Sequence, residues 1–105
     1  MQGVPVSPGS VTAATSLINS PAEFDKMRPR TILVCAQTNP AWTPLFAHAS
    51  GLVTDMGGIL GHGSIVAREY GIPAVVGTGT STQRIKHEQS ITVDGDVGTV
   101  ELHDE

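Results

Sequence analysis

The chain has 105 residues, a formal net charge of −4 and only 15% charged side chains, with 39% apolar residues. That length suits one domain with a modest core. The acidic balance speaks against nucleic acid or an anionic membrane as the main partner. No apolar run reaches the roughly 20 residues that span a bilayer, and "MQGVPVSPGS" lacks the basic and apolar stretches of a secretory leader. With Cys35 as the single cysteine, no internal disulfide can form, so a reducing cytoplasm is the expected location.

In chain order, "VTAATSLI" (residues 11–18) alternates loosely and contains β-branched residues, which predicts a strand. In "SPAEF", Ser20 is placed to cap a helix, Pro21 suits its first position and Glu23 would complete a capping box. Pro29 then disfavours helical geometry at Arg28, so this helix is short. "TILVCA" (residues 31–36) is continuously apolar, as in a strand covered on both faces, and Cys35 within it is expected to pack. "TNPAWTPLFAHA" offers Thr38 or Asn39 as a cap and Pro40 in the first turn. Trp42 and Phe46 stand four apart, on one face directed at the core.

A short strand, "GLVTD" (residues 51–55), leads into "MGGILGHGS", which places Gly57, Gly58, Gly61 and Gly63 around His62. "SIVAREY" reads as a helix closed by Gly71, with Pro73 just beyond it. "PAVVGT" is a second buried-type strand. "SITVDGDVGTVEL" is a hairpin about a turn at residues 94–98. Strands alternating with helices and followed by a hairpin define an α/β domain with a mixed sheet.

The strand, glycine loop and helix start resemble an anion site, because the first-turn N–H groups are unpaired and the helix dipole favours negative charge there. Neither residues 57–63 nor "GTGTST" (residues 77–82) carries the Lys-Ser/Thr pair of a phosphate loop, a G-x-G-x-x-G pattern or a G-x-S-x-G elbow. His62 changes the chemistry. The positive end of the dipole favours a neutral imidazole, which is a competent nucleophile towards phosphorus. The small neighbours Gly61 and Gly63 leave room for a bulky phosphate ester. A purely structural role, with His62 capping the helix or satisfying a loop carbonyl, stays open on these grounds. Asp55 either orients His62 or bonds within its own turn. His48, His62, His87 and His103 lack metal-ligand spacing.

"VTDMGGILGHGSIVAREYGIPAVVGTG" resembles the phosphohistidine motif of the phosphoenolpyruvate-utilising enzymes, in the mobile, swivelling domain of that family. The family includes phosphoenolpyruvate synthase, pyruvate phosphate dikinase and rifampicin phosphotransferase. The likeness extends through "TNPAWTPLFAHASG" and "ITVDGDVGTV", and "GVPVSPGSV" resembles the family's opening strand. It implies a three-layer β/β/α swivelling domain spanning residues 1–105. His62 would take a phosphoryl group at Nε2 from ATP or phosphoenolpyruvate and pass it to an acceptor such as pyruvate. Gly57 and Gly58 match the family's paired glycines, and Gly57, Gly58, Gly61, Gly63 and Ser64 would cradle phosphate. Arg68 and Glu69 match its Arg-Glu, either as an ion pair or in contact with phosphate. The family usually has Ser, Thr or Cys where Gly61 stands, so that side chain is missing there, and Ser64 either supplies a hydroxyl instead or serves the helix start.

The resemblance further implies that this domain binds no cofactor itself. Mg²⁺ with ATP or phosphoenolpyruvate would sit on nucleotide-binding and acceptor-binding partner domains or subunits, since the chain has no nucleotide loop or carboxylate cluster. A non-enzymatic binding or assembly module of the same fold is the alternative.

Overall fold

A computed structural model describes residues 1–103. Seven strands form one mixed sheet: β1 (Val4–Ser7), β2 (Ser10–Leu17), β3 (Thr31–Cys35), β4 (Ala49–Thr54), β5 (Ala74–Val76), β6 (Ser90–Asp94) and β7 (Thr99–Leu102), in the order β1-β5-β4-β3-β2-β6-β7. β2, β3, β4 and β5 run parallel, while β1 pairs antiparallel with β5, β6 with β2 and β7 with β6. Every residue of β3 is buried, as its unbroken apolar run predicts.

Alternation along the strands divides the core between the two faces. Leu33 and Cys35 of β3 point to the side where Leu45, Phe46, Val66 and Ala67 pack. Ile32 and Val34 point to the other side and meet Ile91, Val93 and Val100 of the hairpin. The first face is covered by α1 (Thr43–Phe46) and α2 (His62–Tyr70). The second is covered by β6 and β7, brought over by the long strand β2. The last residues of β2 pair with β3, and its first five pair with β6. Helices, parallel strands and hairpin give the three-layer arrangement that the resemblance implies.

The sheet nearly closes into a barrel. Ahead of β1, Gln2 bridges Thr99, Gly3 N–H donates to Gly98 O (2.9 Å) and Val100 N–H donates to Met1 O (2.8 Å). These bonds occupy backbone groups that an edge strand would leave open. No helix among the described residues is long and apolar enough to cross a membrane.

Several expectations need correction. Residues 21–26 form a 3-10 helix, and Ser20 makes no side-chain cap. Glu23 Oε1 accepts from Asn19 N–H (2.8 Å), one residue before the donor a capping box would use, so the box does not form. Of the two caps offered, Thr38 or Asn39, Asn39 caps the next turn as expected, accepting from Ala41 N–H at 3.0 Å. Trp42 and Phe46 are both buried but do not pair. Trp42 meets Phe24 edge-on (5.1 Å between centroids), and Phe46 meets His62 and Tyr70. α2 begins at His62, two residues earlier than its apolar pattern suggests, and a short helix α3 (Ser81–Arg84) has no strong sequence signal.

Candidate functional site

β4 ends at Thr54, in the middle of the sheet, and the chain leaves it through the glycine loop. Asp55 N–H and Met56 N–H still donate to Cys35 O and Ala36 O, which anchors the loop's first residues to β3 (3.2 and 2.9 Å). Gly57 then adopts φ +111°, a region that side chains rarely tolerate. Gly58 O accepts from Gly61 N–H (3.0 Å) and from the Ser64 hydroxyl (2.6 Å), closing a tight turn onto α2. The first helical bond runs from Ile65 N–H to Gly61 O (3.1 Å), so the N–H groups of His62, Gly63 and Ser64 lie ahead of the ladder.

His62 is therefore the first residue of α2, and its half-buried ring is held on three sides. Nδ1 is 2.9 Å from Thr38 Oγ1, and Nε2 is 3.3 Å from Thr43 Oγ1. Phe46 stands edge-on to the ring, with centroids 6.2 Å apart and planes at 83°. A cleft of about 90 Å³ opens beside it, lined by Gln37, Thr38, Thr54, Gly58 and Gly63 among others and by no cationic side chain. Thr38 lines this cleft and Thr43 does not. Nδ1 thus has the short contact and Nε2 the long one.

The remaining candidates divide. Gly57, Gly58, Gly61, Gly63 and Ser64 all line the cleft with His62. Ser64 is buried and its hydroxyl is committed to Gly58 O, so it ties loop to helix rather than replacing the hydroxyl missing at Gly61. Arg68 and Glu69 do not line the cleft. Arg68 donates to Val6 O (3.0 Å) and Ile59 O (3.1 Å), stitching α2 to β1 and to the loop, and makes no salt bridge with Glu69. A Cβ on Gly63 would lie 3.0 Å from Thr38 Oγ1 and 3.1 Å from Leu52 Cδ2, whereas one on Gly58 would meet nothing within 4 Å. Gly63 therefore admits neighbouring side chains of the chain itself, and Gly58 faces open space.

Asp55 neither orients His62 nor bonds within its own turn. Its carboxylate accepts from the Ser81 hydroxyl, Thr82 N–H (2.9 Å) and the Thr82 hydroxyl, fixing the start of α3 against the base of the glycine loop. Burial opposes its charge, yet the bonds from Ser81 and Thr82 outweigh that and hold the carboxyl below its ordinary value. A depressed folded value contributes stability above the ordinary aspartate range that is lost as pH falls through the folded value. Thermal melts from neutral pH down to roughly pH 2 should show Asp55→Asn losing less stability on acidification than the parent chain. Identical acid slopes would contradict this clamp. Cys35 behaves as a packing residue, because burial, with a smaller contribution from Asp55, pushes its thiol up to about 12. His87 Nδ1 accepts from Leu17 N–H (3.0 Å) and His103 Nε2 meets Thr92 Oγ1 (2.7 Å), so both rings serve the sheet.

Thr43, and Thr38 as a partner of His62, were beyond sequence reasoning. Their hydroxyls stand 19 and 24 residues from His62 and reach it only through the packing of α1 and its preceding turn on α2.

An α/β swivelling-type domain that presents one histidine from the first turn of a helix is the class defined by this fold and site. Residues 27–98 match the family described as PEP-utilising enzyme, mobile domain. An uncharacterised phosphotransferase of Bacillus subtilis (strain 168) is 47% identical over 98 residues, covering 93% of this chain and 12% of that protein. Rifampicin phosphotransferase of Streptomyces sviceus is 46% identical over 100 residues, covering 95% of this chain and 11% of that protein. Phosphoenolpyruvate synthase of Aeropyrum pernix is 45% identical over 101 residues, covering 95% and 12%. Among solved structures, an Enzyme I protein (nEIt) is 30% identical with a TM-score of 0.66, covering 78% of this chain and 34% of that one. Holo aconitase X of Thermococcus kodakaraensis shares the fold (TM-score 0.70) at 17% identity, covering 98% of this chain and 97% of that one. The chain belongs to the mobile-domain family of the PEP-utilising enzymes. It spans about an eighth of the length of these curated relatives.

Proposed function

We propose that this domain is a phosphoryl carrier and that His62 Nε2 takes and gives the phosphoryl group. The observation that carries this reading is the position of His62, first in α2, with Nδ1 in a short bond and Nε2 in only a long one. In the forward step the Nε2 lone pair forms the N–P bond. The donor's P–O bond breaks, and the leaving oxygen keeps the electron pair. In the second step an acceptor oxygen attacks phosphorus, and the N–P electrons return to the ring. The start of α2 favours the added negative charge. The names of the relatives point to phosphoenolpyruvate or rifampicin as exchange partners of those whole enzymes. For this chain, the donor is ATP or phosphoenolpyruvate held with Mg²⁺ on another domain or subunit.

Two features support the dependence on partners. The cleft has no cationic lining to hold a polyphosphate. The loop beside His62 leaves Met56, Ile59 and Leu60 exposed, Leu60 by 82%, an apolar rim suited to being covered. Isothermal titration of the chain alone with Mg-ATP or phosphoenolpyruvate should give no binding in the micromolar range, and such binding would imply a complete site in this domain. Phosphoramidate, a small donor that needs no kinase, tests the carrier directly. It should place acid-labile, base-stable phosphate on His62 at least roughly tenfold faster than on the exposed His48, which serves as internal reference. Equal rates at the two rings would overturn the proposal.

A further inference from the structure

Of the two candidate caps, Thr38 and Asn39, it is Asn39 that caps, which leaves the Thr38 hydroxyl for another use. Its bond to His62 Nδ1, at 2.9 Å, is the one it makes among the described residues. That approach depends on Gly63, since any Cβ there would crowd Thr38 Oγ1 at 3.0 Å. The absence of a Cβ at position 63 leaves room for this hydroxyl.

We propose that Thr38 is a positioning residue that sets the tautomer of His62. A neutral imidazole carries one N–H and one lone pair. With Thr38 Oγ1 accepting from Nδ1–H, the lone pair lies on Nε2, where Thr43 is the looser neighbour and can donate to it until a phosphoryl group arrives. The inference rests on the carrier reading only for its effect on rate. As the N–P bond forms at Nε2, the ring keeps its Nδ1 proton and becomes cationic. The bond from Nδ1–H to Thr38 then changes from a neutral to a charge-assisted one. It strengthens towards the transition state, which is where an interaction accelerates the step.

The test uses the full chain with ¹⁵N-labelled histidine at roughly pH 8, where histidine is ordinarily neutral. Long-range ¹H–¹⁵N correlation should show Nδ1 of His62 protonated and Nε2 unprotonated. Thr38→Val, close in shape, should shift the ring to a mixture of tautomers, and Thr38→Ser should restore the original pattern. Labelling of His62 by phosphoramidate should slow roughly 10- to 100-fold in Thr38→Val and recover in Thr38→Ser. A ring protonated on Nε2 in the parent chain, or a tautomer unchanged by Thr38→Val, would overturn the proposal. If the tautomers behave as stated but His62 takes no label in any variant, the role of Thr38 stands and the carrier reading fails.

Discussion

Replacing His62 by Gln is expected to abolish the fast phase of phosphoramidate labelling and leave only the slow background at His48. The remaining rings have no comparable setting. His87 and His103 are engaged with Leu17 N–H and Thr92 Oγ1, and neither stands at a helix start. The fold should persist, because His62 contributes two hydroxyl contacts and one edge-on contact with Phe46 but no fully buried apolar surface. Losing a hydrogen bond costs about 1 kcal/mol. For a domain of this size that shifts the melting temperature by about 4–8 °C. A fast phase that survives in His62→Gln would place the reactive group elsewhere.

Gly63→Val should have the second-largest effect, on both rate and stability. A reading of glycines as open space for an incoming phosphate expects a slow but stable variant. The geometry requires otherwise, since a side chain at position 63 meets Thr38 Oγ1 and Leu52 Cδ2 within about the first 3.1 Å. Forcing it in displaces the hydroxyl from His62 and presses on a fully buried leucine. Overpacking of this kind costs about 1–3 kcal/mol, so a clear fall in melting temperature should accompany slower labelling. Gly58→Ala is the control, with nothing within 4 Å of the new methyl group and no left-handed φ to strain. It should melt within about 0.5 kcal/mol of the parent chain. A Gly63→Val protein with parental stability and rate would show that the helix start repacks freely.

Local pattern was enough to read much of the fold. The apolar run of β3, the alternation in β2, β6 and β7, and the Gly71 stop of α2 are features of neighbouring residues, and each lies within a residue or two of its expected place. The location of His62 at a helix start was readable for the same reason. What escaped depends on the way distant segments meet. Thr38 and Thr43 reach His62 through the packing of one helical layer, and Asp55 finds its partners 26 and 27 residues downstream. Arg68 looked like a partner for Glu69 or phosphate because the two acidic or anionic choices are local. Instead its guanidinium spans from Val6 O to Ile59 O, a pair of acceptors that only the sheet order brings together. At Pro21 the cap residues were in place, but the chain turned into a 3-10 helix with the acceptor bond shifted by one residue.

The central claim is that the phosphoryl group resides on Nε2 of His62. Phosphorus–nitrogen coupling in the phosphorylated, ¹⁵N-histidine-labelled chain tests it most directly. The account predicts a single coupled nitrogen, Nε2 of His62. Phosphorus coupled to Nδ1, or to a nitrogen of His48, His87 or His103, would contradict it.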